Sequence, residues 1–421
     1  MTAPALRRAI VHALLLISCA GLAACSSCRT PKRKPPPADL SGADQDGPVP
    51  LPPTLALPHV EVRPTRNQAD YALPAQCSFT QRVDTYAVAG KSIRLLAPRS
   101  ARNEFALAHE PAEGLGPAPI RAIVETSTKH GMRDLPWFDL ASPPLADQGD
   151  SGWLTAFDSE IQATRRQAVI AREGHPFERI AAGDDLRAID LQCDGHLCAL
   201  LTSRTGTVSG PGATLFTGDP SAPASTWARS DIDSPAADEI PARIVQLVAA
   251  ENTARIALVG KSTTNFVLWR DGKLAREAAI PLEQGLIDAA YSGGEYVTVS
   301  NGAPVDERGC APSGASLIIH RASRNATSVN ITASPHKAKL LPMGDAQIFV
   351  WLAPVNCLLR DRMVAYAVVI DDAGIPQDSP MPVGDATDFA ARMVDDTWEL
   401  FLAAEDGVKH IRARCAVPSP K

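Results

Sequence analysis

Lys91-Ser92-Ile93-Arg94-Leu95-Leu96-Ala97, a short turn, Glu104-Phe105-Ala106-Leu107-Ala108-His109, a longer loop, and Ile120-Arg121-Ala122-Ile123-Val124-Glu125 lay out the unit from which the body of this chain is built. Each run is short, aliphatic or β-branched, and closed by turn formers, which reads as strand and not helix. The cadence returns through second runs near Trp153 to Phe157, Cys198 to Ser203, Arg255 to Val259, Glu295 to Ser300, Gln347 to Leu352 and Trp398 to Ala403. Third runs are clearest at Asn265 to Arg270, Ala315 to His320, Val364 to Ile370 and His410 to Arg414. Ile240 to Ala250 comes closest to a helical period, and it leads straight into another strand run. The body, residues 76–417, therefore reads as all-β.

Counting the second runs gives seven units, and roughly 340 residues over seven units is about 49 each, the size of a four-stranded blade. The body resembles a seven-bladed β-propeller, although no WD or kelch signature repeats. Irregular spacing leaves six or eight blades open, and a two-sheet sandwich array is the alternative architecture. If His410 to Arg414 is the third strand of the last blade, its outer strand must come from elsewhere, and Arg82 to Val88 is an unused run near the start of the ring. In that pairing Cys415 leaves one strand as Cys77 approaches the other, so a Cys77–Cys415 disulfide would lock the ring. Cys193-Asp194-Gly195-His196-Leu197-Cys198 places a four-residue turn between two cysteines facing each other across a hairpin, which suits a local disulfide. Cys310 and Cys357 fall in second-to-third-strand loops of consecutive units, where a cross-blade staple is expected.

Upstream of the body the texture differs. Arg7-Arg8, an apolar core from Ala9 to Leu22 and the small residues Ala23-Ala24 have the layout of a secretory signal, too short to cross a bilayer comfortably. Leu22-Ala23-Ala24-Cys25 closely resembles the lipobox of bacterial lipoproteins. By that resemblance residues 1–24 are a cleaved signal peptide and Cys25 is the lipidated first residue of the mature chain, carrying a diacylglyceryl thioether and an acylated amine. Each buried methylene contributes about 0.8 kcal/mol, so several acyl chains would hold the protein at a membrane. Ser26 stands where Asp would favour inner-membrane retention, so the resemblance implies the outer membrane. From residue 26 to about 75 no apolar period is stable and Pro recurs, as in Pro35-Pro36-Pro37 and Pro52-Pro53, which reads as a disordered, extended tether. Residues 418–421 form a short tail. Cysteine usage fits an oxidising compartment, with Cys28 left over in the tether.

Composition narrows the function. The hydrophobic share of 45% is ordinary, and a net charge of −6 over 421 residues gives no polybasic face, which argues against a nucleic-acid partner. Gly260-Lys261-Ser262 resembles the end of a phosphate-binding loop, but Arg255 stands where the first Gly is required and a strand follows, so it reads as a hairpin turn. Cys193, His196 and Cys198 offer three metal ligands without a fourth, and the oxidising compartment favours the disulfide. His109, His130, His175, His320, His336 and His410 are scattered and read mostly as surface or strand residues with satisfied hydrogen bonds. Asp184-Asp185, Asp371-Asp372 and Asp395-Asp396 read as turn formers, because neighbours on a strand face opposite ways. Asp147-Gln148-Gly149-Asp150-Ser151-Gly152-Trp153 loosely resembles the aspartate box of sialidase-like propellers, with the wrong spacing and no repeat. Most of the six Trp residues read as packing, while Trp137 and Trp227, in turn-rich surroundings, are open as sugar-stacking surfaces.

The resulting expectation is a membrane-anchored extracytoplasmic lipoprotein acting as a non-enzymatic binding or assembly module of the bacterial envelope, without a cofactor. Its partners would be membrane lipid through Cys25 and an envelope protein or polysaccharide. Candidate binding residues lie in the loops 301–314 and 353–362, namely Asn301, Asp306, Arg308, Asn356, Arg360 and Asp361. The alternatives are a propeller hydrolase or lyase acting on envelope glycans, and a mainly structural envelope protein.

Overall fold

The computed structural model describes residues 61–416 except 65–69, 89–92, 99–103, 110–119, 126–129, 135–144, 181–185, 205–211, 234–241, 303–315, 356–361 and some one- and two-residue stretches. Cys25 and Trp137 lie outside the described residues, as do Cys310, Cys357, Asp306, Arg308, Asn356, Arg360 and Asp361. The strands form seven antiparallel sheets, six of four strands and one of six. Each sheet is a blade, and the seven blades make a β-propeller. Its innermost strands are, in blade order, Ile93–Pro98, Leu145–Gly149, Leu186–Asp194, Ala242–Val248, Gln284–Ser292, Lys337–Met343 and Asp388–Val394. Consecutive members of this series pack on one another, and Asp388–Val394 packs back on Ile93–Pro98, so the ring is closed.

Burial explains the sequence pattern. Second strands are sandwiched between neighbouring blades and read as near-continuous apolar runs; every residue of Ala346–Pro354 is buried. Outer strands alternate, and Lys273–Pro281 keeps only Ile280 fully inside. The apolar clusters lie between blades. Leu197, Leu215, Ile244, Ile256 and Trp269 join blades 3 and 4, and Val299, Leu317, Phe349 and Trp351 join blades 5 and 6. The stretch with the most helical period, Ile240 to Ala250, is the strand Ala242–Val248 followed by a 3-10 turn, Ala249–Glu251. Inter-blade packing overrides the local period there.

The last blade closes as the cysteines imply. Gly407–Cys415 pairs on one side with Thr397–Ala404 and on the other with two N-terminal strands, Asp84–Tyr86 and Cys77–Phe79. Cys77 stands opposite Cys415 and the two form a disulfide across 338 residues. Between the strands, Thr80 donates its N–H to the Arg412 carbonyl at 3.0 Å, and residues 81–83 interrupt the pairing, with Val83 buried in the core. A further strand, Val62–Pro64, lies outside Asp84–Tyr86, within the stretch whose composition reads as tether. Gly407 has φ 132°, and a Cβ there would lie 2.0 Å from the Tyr86 carbonyl oxygen, so the closing strand requires glycine at this turn. Cys193 and Cys198, paired across their hairpin, form the second disulfide.

Candidate functional site

The innermost strands have one edge free towards the axis, where they surround a channel of about 420 Å³. Six blades send polar or charged side chains to its walls: Asp147 from blade 2, Asp190 from blade 3, Gln246 from blade 4, Tyr291 from blade 5, Lys339 from blade 6 and Arg392 from blade 7. This convergence is the main candidate site among the described residues.

Acids of the innermost strands, Asp147 and Asp190 of the channel wall among them, also hold the ring together. Asp147 Oδ2 accepts the Cys193 N–H of blade 3 at 2.7 Å, and Asp190 Oδ2 accepts the Ile244 N–H of blade 4 at 2.8 Å. Asp288 Oδ2 accepts the Leu340 N–H of blade 6 at 2.6 Å, and Asp388 Oδ2 accepts the Leu95 N–H of blade 1 at 2.7 Å. Each carboxylate thus clasps the next blade through a charge-assisted hydrogen bond. Blades 4 and 6 have no aspartate on their innermost strands and contribute cations instead. Arg243 reaches Asp288 Oδ1 at 2.6 Å and Lys337 reaches Asp388 Oδ1 at 2.8 Å. Register shifts beside Asp190, Asp288, Ile244 and Leu95 mark bulges, which re-aim the acid and the N–H it meets.

Two of the acids are electrostatically unusual. Burial pushes the Asp147 carboxyl up to about 7, against the pull of its Cys193 and Gln148 N–H donors, and nearby Asp190 raises it further. Burial likewise raises Asp190, opposed chiefly by Lys339. Lys339 is exposed and is a cation influencing both. On the blade 4 to 5 wall, Arg255 lies 3.8 Å from the centre of the Tyr291 ring, and its Nη1 donates to Gln246 Oε1 at 2.9 Å. Arg255 therefore fixes two channel side chains at once. The channel can hold a small polar molecule between walls of opposite sign.

Other sequence-derived candidates divide clearly. Asn301 ends a second strand, opposite Gln284 and Leu317, at the base of the loop 303–315. Gly302 N–H bonds the Ser316 carbonyl at 2.9 Å and Val355 N–H bonds the Arg362 carbonyl at 3.1 Å, so both candidate loops spring from stitched bases on consecutive blades. Asp371 is a turn former, its Oδ1 accepting the N–H groups of Ala373 and Ile375. Trp153, Trp269, Trp351 and Trp398 are buried, as packing requires. Trp227 is buried as well, against Gly218, where a Cβ would come within 2.4 Å of the indole; it is not a sugar platform. His410 also departs from expectation, being buried with neither ring nitrogen hydrogen-bonded. The sequence reading missed the clasping acids. Their signal was an Asp in each of four first runs, at Asp147, Asp190, Asp288 and Asp388.

No protein-family model matches the chain. No curated protein matches it either. Among solved structures it is similar to puromycin hydrolase, with 14% identity over 79% of this chain and 55% of that one and a TM-score of 0.45. It is also similar to a prolyl endopeptidase, at 11% identity over 78% and 51% with a TM-score of 0.44. A third is the β-propeller domain of the Trilobed protease from Pyrococcus furiosus, at 12% identity over 78% and 99% with a TM-score of 0.43. The chain spans about half the length of the first two. Likeness at this level says nothing about chemistry. The propeller itself rests on the strand order.

Proposed function

We propose that this protein is a lipid-anchored, extracytoplasmic propeller that binds or assembles a component of the bacterial envelope without turning it over. One observation carries the reading. The channel acids Asp147 and Asp190, which a propeller hydrolase would use to give and take protons, are engaged as fixed acceptors between blades. The lipobox-like Leu22-Ala23-Ala24-Cys25 and the Pro-rich stretch after it support display on a tether, at an outer membrane by the resemblance. The loops 301–314 and 353–362, whose described ends lie on adjacent blades, would supply a recognition surface for a protein or polysaccharide, and a Cys310–Cys357 bridge would reduce the entropy lost on binding.

A second reading has its own observation. An Asp147 carboxyl held near neutrality beside Asp190 and Lys339 is suited to general acid work on a glycan. Binding and product formation measured on an envelope-glycan panel separate the two, using the purified full chain and Asp147→Asn. The binding reading expects no product from any glycan. Turnover in the wild type that Asp147→Asn abolishes would replace it with the hydrolase reading.

A further inference from the structure

We propose that the closing edge of blade 7, where it meets blade 1, is an acid-sensitive latch, in which protonation of His410 releases the N-terminal closing strand. His410 sits on Gly407–Cys415 directly opposite Asp84 of that closing strand. Its side chain is 3% exposed, and neither ring nitrogen has a hydrogen-bond partner. The imidazole stacks on Phe401 at 4.1 Å and lies 6.3 Å from the Tyr86 ring, at the border of the apolar cluster that joins the two blades.

The groups around it leave no room for another positive charge. From the innermost strand of blade 7 comes Arg392, whose Nε donates to Glu399 Oε2 at 2.6 Å. The second strand supplies Glu399, whose Oε1 is 3.8 Å from His410 Nε2, too long for a hydrogen bond, and equally 3.8 Å from Arg412 Nε. Its own strand supplies Arg412, which is paired with Gln81 and also reaches Asp84 at 3.4 Å. The neighbouring Lys409 is paired with Asp406 and Thr85. Blade 1 presents Ile93, Leu95, Phe105 and Leu107 from its described side chains. Two acids and two guanidiniums balance before the histidine is counted. Burial, then Arg412 and Arg392, accordingly hold the imidazole well below its ordinary range, so it is neutral in the closed ring.

Opening exposes the ring nitrogens to water and restores the ordinary value of about 6.5. Because the closed state binds fewer protons, its stability is complete above that value and falls as pH drops below it, about tenfold in the opening equilibrium per pH unit. The element released is small. Asp84–Tyr86 is three residues long and, among the described residues, one strand, Val62–Pro64, lies outside it, so local opening breaks few backbone pairs. The Cys77–Cys415 disulfide keeps the released strand attached, making the latch reversible.

The test is native-state hydrogen exchange on the full chain at pH 7.5 and 5.5, corrected for intrinsic rates, with Ala346–Pro354 as the reference strand. The expected result is about tenfold faster opening of Asp84–Tyr86 at pH 5.5 relative to the reference, and no such change in His410→Gln. Equal pH response in the two strands, or its persistence in His410→Gln, would overturn the proposal. Should that variant not fold, NMR titration of the wild-type imidazole decides: it must stay neutral in the folded chain at pH 5.5, and titration near 6.5 refutes the latch.

Discussion

The joint between blades 3 and 4 and the seam between blades 7 and 1 do the same work with different means. At the first, an apolar cluster and the Asp190 clasp on Ile244 join blades that follow one another in the chain. The seam has its own cluster, with Tyr86, Phe105, Phe401 and Val408, and its own clasp, Asp388 on Leu95. Blade 7 itself, which both ends of the chain share, then adds a disulfide, a three-residue outer strand and a buried group of ionisable side chains. The difference teaches that stacked apolar faces and one carboxylate suffice where the chain is continuous. Where the two ends of the chain meet, a covalent bond must offset the entropy of closing the whole ring.

The sharpest way to break this comparison is to remove each disulfide in turn. Cys77→Ser with Cys415→Ser should lower stability by about 5 kcal/mol, because that bridge closes nearly the whole domain. Cys193→Ser with Cys198→Ser should cost about 2 kcal/mol for its very short loop. Guanidinium unfolding of the two double variants gives the ranking directly, and equal losses would remove the special standing of the seam.

The clasps come next in size. Asp388→Ala leaves the Leu95 N–H without its acceptor and removes the charge partner of the half-exposed Lys337 ammonium, which keeps the Leu95 carbonyl at 3.1 Å, and about 2 kcal/mol should be lost. Asp190→Ala orphans one backbone N–H but also relieves a desolvated acid, so about 1 kcal/mol is expected. The same unfolding curves measure both, and the reverse order would mean that the cation of blade 6 adds nothing to the joint.

The smallest expected effect concerns pH and distinguishes the channel from the seam by sign. The Asp147 carboxyl, raised from its ordinary value to about 7, is protonated in the folded chain at mild acidity. Its contribution is complete below about pH 4 and is lost as pH rises towards 7. His410 acts oppositely, losing stability as pH falls below about 6.5. Stability measured from pH 4 to 8 should therefore lose its alkaline-side decline in Asp147→Asn and its acid-side decline in His410→Gln. A profile unchanged in Asp147→Asn would show that this carboxyl does not couple to folding.

Much of the architecture was legible because blades repeat. The runs around Glu104, Trp153, Cys198, Arg255, Glu295, Gln347 and Trp398 are all second strands, buried on both faces and therefore written as unbroken apolar stretches. The closure was legible from Cys77 and Cys415, whose positions make sense only if the chain ends share a blade. The channel was not legible. Its acids act through bulges in the innermost strands and meet backbone N–H groups about 50 residues downstream or, for Asp388, 293 residues upstream, and no local pattern records such a meeting. Trp227 looked open because its flanks are turn-rich, yet a 3-10 turn at Ala224–Thr226 folds it over Gly218. His410 gave no sign, since the Arg and Glu residues that surround it arrive from two other runs and its own.

In-cell crosslinking of the full chain followed by mass spectrometry, with Cys25→Ser as the unanchored control, tests the functional account most directly. The account predicts one envelope component captured in stoichiometric amount through residues of the loops 301–314 and 353–362, and lost in the control. Capture that persists unchanged in Cys25→Ser, or crosslinks confined to small glycan fragments in the channel, would contradict a tethered binding module.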